Sequence, residues 1–375
     1  MRKRKIKRCA AAFMVIIAAI TLPMSVQATW LDVSAQGAAL LEIQTGKVLY
    51  SKNSHQKMPM ASTTKVMTAI MAIEHGGLDE LVTVSGTAYG VEGSSIYLEK
   101  NERINLRDLL YGLMLRSGND AAVAIAEHIG GSVPEFAELM NQKAVQIGAL
   151  NTHFVSPNGL HDDEHYTTAY DLALISAYAM RNSIFREIVS CSYHRTTSGN
   201  IQRTMQNKNK LLWEYDGATG VKTGYTIAAG KCLVFSAKRD GLDIVGVVLN
   251  CPNMFSDARA IMDNAFATYC MERIIKKGDM IVVLPVDSGM RNMLELVADE
   301  DIMIPVSRNS DTQIHTKVIA DERVYAPVTA GQVLGCVEVW DDTGLLRTVE
   351  LVAAIDIEGC GYGYYLNKLF TRWTA

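Results

Sequence analysis

Pro59-Met60-Ala61-Ser62-Thr63-Thr64-Lys65-Val66-Met67-Thr68-Ala69 decides how this chain folds, because it sets a serine and a lysine three residues apart where a polar stretch turns apolar. The apolar run continues from Val66 to Ile73 and stops at Gly76-Gly77, which predicts a buried helix. Residues three apart share a helix face, so Ser62 and Lys65 can meet in a dry cleft. A serine hydroxyl needs a base to react, and a lysine serves only if burial and neighbouring cations leave it neutral. The free N–H groups of a helix start also favour negative charge developing on the serine. Ser54-His55-Gln56-Lys57 has the same spacing, but in a polar stretch with nothing to dry it out.

Downstream, Ile104 to Leu115, Ala121 to Ile129 and Thr168 to Met180 carry helical apolar spacing, and Ser132-Val133-Pro134-Glu135 is a capping box that opens another helix. Ser117-Gly118-Asn119 falls in the short connection between two of these helices, where it can project polar side chains into a cleft. Ser51, Ser156, Ser198 and Ser307 also have an asparagine two positions on, so position rather than pattern singles out Ser117. Beta character returns at Lys222-Thr223-Gly224, followed by apolar runs Cys232 to Ala237 and Asp243 to Leu249 around Asp240-Gly241. A lysine and a hydroxyl on a strand, with glycine next so that a ligand can approach the backbone, suit a substrate carboxylate. A helix capped by Ser256 is expected to run to about Arg273.

Together the three motifs resemble the site of the penicillin-recognising serine enzymes. Pro59 to Ala69, Ser156-Pro157-Asn158-Gly159-Leu160-His161, Gly220 to Thr226 and Ala229-Gly230-Lys231-Cys232-Leu233 narrow the resemblance to the D-alanyl-D-alanine carboxypeptidases among the low-molecular-mass penicillin-binding proteins, with the sporulation-associated Gram-positive members nearest in texture. Lys231 stands where the resemblance leads one to expect tyrosine. The resemblance implies an α/β catalytic domain, an antiparallel sheet with flanking helices plus an all-helical subdomain, followed by a small β-sandwich. It further implies Ser62 as nucleophile, Lys65 as base, Ser117 as proton relay and Asn119 as orienting group. Lys222, Thr223 and Gly224 would receive the substrate carboxylate, and the N–H groups of Ser62 and Tyr225 would form the oxyanion hole. The implied substrates are peptidoglycan stem peptides ending in D-Ala-D-Ala, with β-lactams as inhibitors.

Residues 1 to 28 read as an export signal: six basic residues by Arg8, an apolar run from Ala10 to Leu22, and Val26-Gln27-Ala28 before the expected cleavage. The expected site of action is the outer face of the cell membrane or the wall space. Removing that segment leaves 30 basic against 40 acidic residues, a formal charge of −10, which argues against nucleic acid as a partner. The six remaining cysteines have neither zinc nor disulfide-framework spacing and read as small buried side chains. The catalytic domain is expected over 29–276. Short, often β-branched segments over 277–355 predict the β domain, and 356–375 an amphipathic segment. There Tyr362, Tyr365, Leu366, Leu369, Phe370 and Trp373 form an apolar face opposite Lys368 and Arg372, which suits peripheral contact with an anionic membrane surface.

No cofactor fingerprint appears. His161 and His165, four apart with acids between them, fall in an expected loop, so no metal site is predicted. A β-lactamase would need a carboxylate to activate the deacylating water, and Asp162-Asp163-Glu164 sits in a segment that resembles the carboxypeptidases instead. A non-catalytic wall-binding or β-lactam-sensing module would not need the full set of Ser62, Lys65, Ser117 and Lys222.

Overall fold

The computed structural model describes residues 31–309, 313–361, 364 and 373. Residues 33–375 make up one compact unit. The expected signal segment and most of the expected amphipathic tail lie outside the described residues.

Within residues 33–375, β1 (Gly37–Glu42) and β2 (Val48–Lys52) form the expected hairpin, and β7 (Ala218–Thr226), β8 (Gly230–Arg239) and β9 (Leu242–Leu249) complete an antiparallel sheet in the order β2-β1-β9-β8-β7. Every residue of β1 and β9 is buried, because helices cover both faces of the sheet centre. The helix α5 (Ala169–Arg181), capped by Thr168, packs on β1 and β9. On the other face, α7 (Met254–Thr268) packs on β8 and β9. This order leaves β7, which carries Lys222, at the sheet edge, with one side open for a ligand.

The helical subdomain holds α1 (Lys65–His75), α2 (Leu106–Tyr111), α3 (Asn119–Gly130), α4 (Val133–Ile147) and α6 (Ser183–Ser190), with the small hairpins β3–β4 (Leu81–Thr83, Arg103–Asn105) and β5–β6 (Tyr193–Arg195, Thr204–Gln206) at its margin. The single helix expected from Ile104 to Leu115 is broken up. Ile104 pairs in β4, Asn105 caps α2 by accepting from the Asp108 N–H at 2.8 Å, and Gly112–Arg116 widens into a π-helical turn.

The helix expected to reach Arg273 stops at Thr268. Ser256 lies inside its first turn, and Tyr269–Ile275 leave it as strand β10, whose backbone groups pair with β13 (Ile302–Ser307). That ribbon shares a core with a second sheet, built from β11 (Met280–Asp287), β12 (Met293–Ala298), β14 (His315–Ala320), β15 (Val324–Tyr325), β16 (Val333–Asp341) and β17 (Gly344–Ala353) in the order β14-β16-β17-β12-β11-β15. Ile302 and Ile304 of the ribbon pack with Leu294, Leu296, Val337 and Leu351 of the sheet. Ile357 and Cys360 are bonded to Val328 and Ser288 of this domain, so the described start of the tail is held by the sheet domain. Cys191, Cys232, Cys251, Cys270, Cys336 and Cys360 are free thiols, of which only Cys232 and Cys251 are fully buried.

Candidate active site

Ser62 lies in a single 3-10 turn, Ala61–Thr64, that runs into α1, and Lys65 is the first residue of the helix proper. The turn needs Ala61 at φ 49°, and Ser117 sits at φ 66°; a non-glycine residue in the left-handed region costs roughly 1–3 kcal/mol, strain of the kind held at functional sites. Ser62 is half-buried and Lys65 fully buried. Lys65 Nζ lies 3.0 Å from Ser62 Oγ, 2.7 Å from Asn119 Oδ1 and 2.6 Å from the Asn158 carbonyl oxygen. Burial, then the charges of Lys222 and Lys208, hold its pKa well below the usual lysine range, against a weaker opposing pull from Asp120.

The wide turn Gly112–Arg116 ends at Ser117, and α3 begins at Asn119, so the second motif does join two helical segments. Asn119 is gripped from three sides. Its N–H donates to the Ser94 carbonyl at 2.7 Å, its Nδ2 to the Glu92 carbonyl at 2.6 Å, and its Oδ1 accepts from Lys65. Beside it, buried Asp120 accepts from Ser95 Oγ at 2.5 Å and from the N–H groups of Ile96 and Leu98 at 3.1 and 3.0 Å. One turn of helix therefore pins the segment 92–98 as a wall of the site.

Lys222 on β7 is buried, and Nζ donates to the Thr223 carbonyl at 2.8 Å. Burial, then the Lys208 charge, bring its pKa down to about 7. Gly224 faces the nucleophile turn: a Cβ there would stand 3.1 Å from the Ser62 and Thr63 nitrogens, so a side chain would push strand and turn apart by a few tenths of an ångström. Ser62, Ser117, Thr223, Gly224 and Tyr225 border one cavity of about 430 Å³ with Lys208 and Lys231 on its rim. All eight predicted site residues are thus gathered, five on the cavity lining and Lys65, Asn119 and Lys222 buried next to it, with Lys65 bonded to Asn119 and close enough to Lys222 to feel its charge. Lys231, opposite Tyr225 in the β7–β8 pairing, directs Nζ to the Pro252 carbonyl at 3.1 Å.

Four residues have roles in the site that were not read from the sequence. Asn158 supplies a main-chain oxygen to Lys65, which no side-chain pattern reveals. Asp120 holds the wall, although its place directly after the second motif was a usable signal. Lys208 Nζ reaches Ser94 Oγ at 3.2 Å. His165 is buried, accepts from the Val155 N–H at Nδ1 and therefore donates from Nε2 to Thr64 Oγ1 at 2.7 Å, next to the serine turn. Burial lowers its pKa to about 4, so it is neutral and locked in one tautomer. Of the other Ser-x-x-Lys match, Ser54 is buried rather than solvated, but Lys57 is engaged with Tyr166, Nζ standing 4.4 Å above the ring centre.

A serine turn feeding a buried lysine, a polar helix connection and an edge strand with its glycine, on an antiparallel sheet between helices, define a penicillin-recognising serine enzyme. The chain belongs to the D-alanyl-D-alanine carboxypeptidase family: that family's profile matches residues 23–253, and the profile described as the penicillin-binding protein 5 C-terminal domain matches 269–359. D-alanyl-D-alanine carboxypeptidase DacF of Bacillus subtilis is 32% identical over 351 residues, covering 91% of this chain and 90% of that one. Among solved structures, penicillin-binding protein 5 from Haemophilus influenzae superposes with a TM-score of 0.71 at 29% identity, over 88% of this chain and all of that one. A peptidoglycan synthesis regulatory factor, PBP3, from Streptococcus pneumoniae gives 0.78 at 26% identity, over 87% of this chain and all of its own.

Proposed function

We propose that this protein is a serine-type D-alanyl-D-alanine carboxypeptidase that removes the terminal D-alanine from peptidoglycan stem peptides through an acyl-enzyme on Ser62, limiting cross-linking, and that it binds penicillin at the same serine. The observation that carries the reading is the environment of Lys65 Nζ. A neutral amine has two N–H groups and one lone pair. With Asn119 Oδ1 and the Asn158 carbonyl taking the N–H groups, the lone pair is left for the Ser62 hydroxyl.

In this mechanism Lys65 accepts the Ser62 proton as Oγ attacks the carbonyl between the two D-alanines. Ser117 passes that proton to the leaving amine, and the C–N bond breaks to give D-alanine and the Ser62 ester. Lys222 and Thr223 hold the terminal carboxylate, while the N–H groups of Ser62 and Tyr225 stabilise the oxyanion, an effect typically worth about 3 kcal/mol per donor. Water then hydrolyses the ester. A β-lactam acylates the same serine and leaves slowly. Asp162, Asp163 and Glu164 are exposed and border no part of the cavity, which gives the β-lactamase alternative no water-activating carboxylate from that segment.

The proposal extends to the setting: residues 1–28 direct export, the chemistry takes place outside the membrane, and the C-terminal segment rests on the membrane surface. Among the described residues no helix is long and apolar enough to cross a membrane. The catalytic portion is assigned to the mature chain up to Thr268, because β10 pairs with β13. Incubation with diacetyl-lysyl-D-alanyl-D-alanine tests the activity. Release of D-alanine that is lost in Ser62→Ala supports the reading, whereas no release, with the variant indistinguishable from its parent, points to a wall-binding or β-lactam-sensing module.

A further inference from the structure

A second cavity of about 470 Å³ is lined by residues next in sequence to those of the first. Neighbouring residues divide between the two: Ser94 and Ser117 face the first, Ser95 and Arg116 the second. The β5–β6 hairpin contributes Tyr193 and Gln206 to the second cavity's lining. Two arginines border it, and their situations differ. The Arg203 guanidinium is fully used, donating to the Ile96 and Tyr97 carbonyls at 2.8 Å each and bidentately to Glu102. Arg116 is a half-buried residue whose side chain, among the described residues, makes no hydrogen bond or ion pair. No carboxylate borders either cavity, while Lys208 and Lys231 add further positive charge on the first.

A guanidinium on a half-buried residue, with no counter-ion and with Lys208 as a charged neighbour, gains from an anion, and its planar fork fits a carboxylate bidentately. We propose that Arg116 and the cavity it borders form a subsite for a second carboxylate of the substrate, carried on the side chain of the residue that precedes D-Ala-D-Ala. This rests on the carboxypeptidase reading, which assigns the terminal carboxylate to Lys222 and Thr223 and so leaves Arg116 for a different anion. The subsite selects acidic stem peptides over those whose side-chain carboxylate is amidated. Arg116 acts here as a specificity residue, with no part in the acyl transfer.

The test compares N-acetyl-X-D-Ala-D-Ala peptides in which X is 2-aminopimelyl, with four methylenes and a terminal carboxylate, or its side-chain carboxamide. For the parent, kcat/KM for the carboxylate peptide is expected to exceed that for the carboxamide by about tenfold, the worth of one charge-assisted pair. In Arg116→Gln the ratio should fall to about one through loss on the carboxylate peptide alone, and Arg116→Lys should restore part of it. A parent that treats both peptides alike overturns the proposal. So does a preference that survives in Arg116→Gln, since it would then belong to the general field of Lys208 and Lys231. Failure of the carboxypeptidase reading itself has a different signature, no D-alanine from either peptide. In that case protection of Ser62 from fluorescent penicillin by the two peptides makes the same comparison without turnover: equal protection rejects the subsite, and stronger protection by the carboxylate that Arg116→Gln abolishes upholds it.

Discussion

Lys65 Nζ and the main-chain oxygen of Asn158 lie 2.6 Å apart across 93 residues of sequence. With Asn119 on its other side, this contact fixes which way the amine faces. The Asn158 side chain secures the carbonyl in turn, its Oδ1 accepting from the Leu160 N–H at 3.0 Å and from Ser156 Oγ at 3.1 Å. The loop that lies behind the serine is thus part of the device that aims the base.

Asn119→Asp keeps the shape of this arrangement and adds a negative charge 2.7 Å from Nζ. A carboxylate favours the charged amine, so the Lys65 pKa rises and less neutral base is present at pH 7. The rate of Ser62 acylation by fluorescent penicillin is expected to fall at pH 7 and to recover as pH is raised. A variant that is equally slow at every pH would show that Asn119 acts on the substrate and not through Lys65.

Lys222 gives a pH dependence of stability whose sign follows from its pKa of about 7 in the folded protein. Between that value and the ordinary lysine value near 10.4, the unfolded chain binds more protons than the folded one, so stability rises with pH across this window. Below about pH 7 the folded protein carries the full cost of a buried ammonium. Lys222→Met removes that cost, so its stability relative to the parent should be highest below about pH 7 and diminish from there toward about pH 10. Thermal unfolding of both proteins at matched ionic strength measures it, and a difference that stays flat with pH contradicts the assignment.

Gly224→Ala tests the close approach of strand and nucleophile turn. The added methyl would stand 3.1 Å from the Ser62 nitrogen and 3.3 Å from Ala61 Cβ, forcing β7 away from the turn. If the Ser62 and Tyr225 N–H groups form one oxyanion hole, spreading them by a few tenths of an ångström should slow acylation, by less than the roughly 10²–10³-fold that loss of a whole donor typically costs. Penicillin acylation reads the rate, and circular dichroism checks that the fold is retained. An unchanged rate in a folded variant would separate the glycine from catalysis.

The sequence was most legible where chemistry imposes residue types at short spacing. Ser62 and Lys65, Ser117 and Asn119, and Lys222 to Tyr225 could be picked out because helix start, helix connection and strand end are all local patterns. What escaped was non-local. The Asn158 oxygen carries no residue signature, and His165 supports Thr64 through a fold that brings them together from 101 residues apart. Tyr269 to Arg273 could prolong a helix by their own preferences and become β10 only because β13 offers its backbone partners. β13 carries Pro305 opposite Met271, and because the ribbon has only two strands a residue without an N–H is tolerated there.

Lys47, in the turn between β1 and β2, ties the catalytic fold to the C-terminal sheets. Its Nζ pairs with Asp341 Oδ2 at 2.8 Å, both side chains under one-tenth exposed, and donates to the Pro305 carbonyl at 3.0 Å. Lys47→Met would leave the Asp341 carboxylate buried with only Thr343 to bond it, a loss expected to cost about 3–5 kcal/mol. Replacing both partners, Lys47→Met with Asp341→Leu, removes the stranded charge and should recover most of that loss, because a buried ion pair and an apolar pair of similar volume are close in free energy. Unfolding of the two variants beside the parent measures the difference. A double variant as unstable as Lys47→Met would locate the cost in the lost Pro305 contact or in packing. Recovery, with penicillin acylation unaltered, would mean that the pair orients the two domains at little net gain in stability.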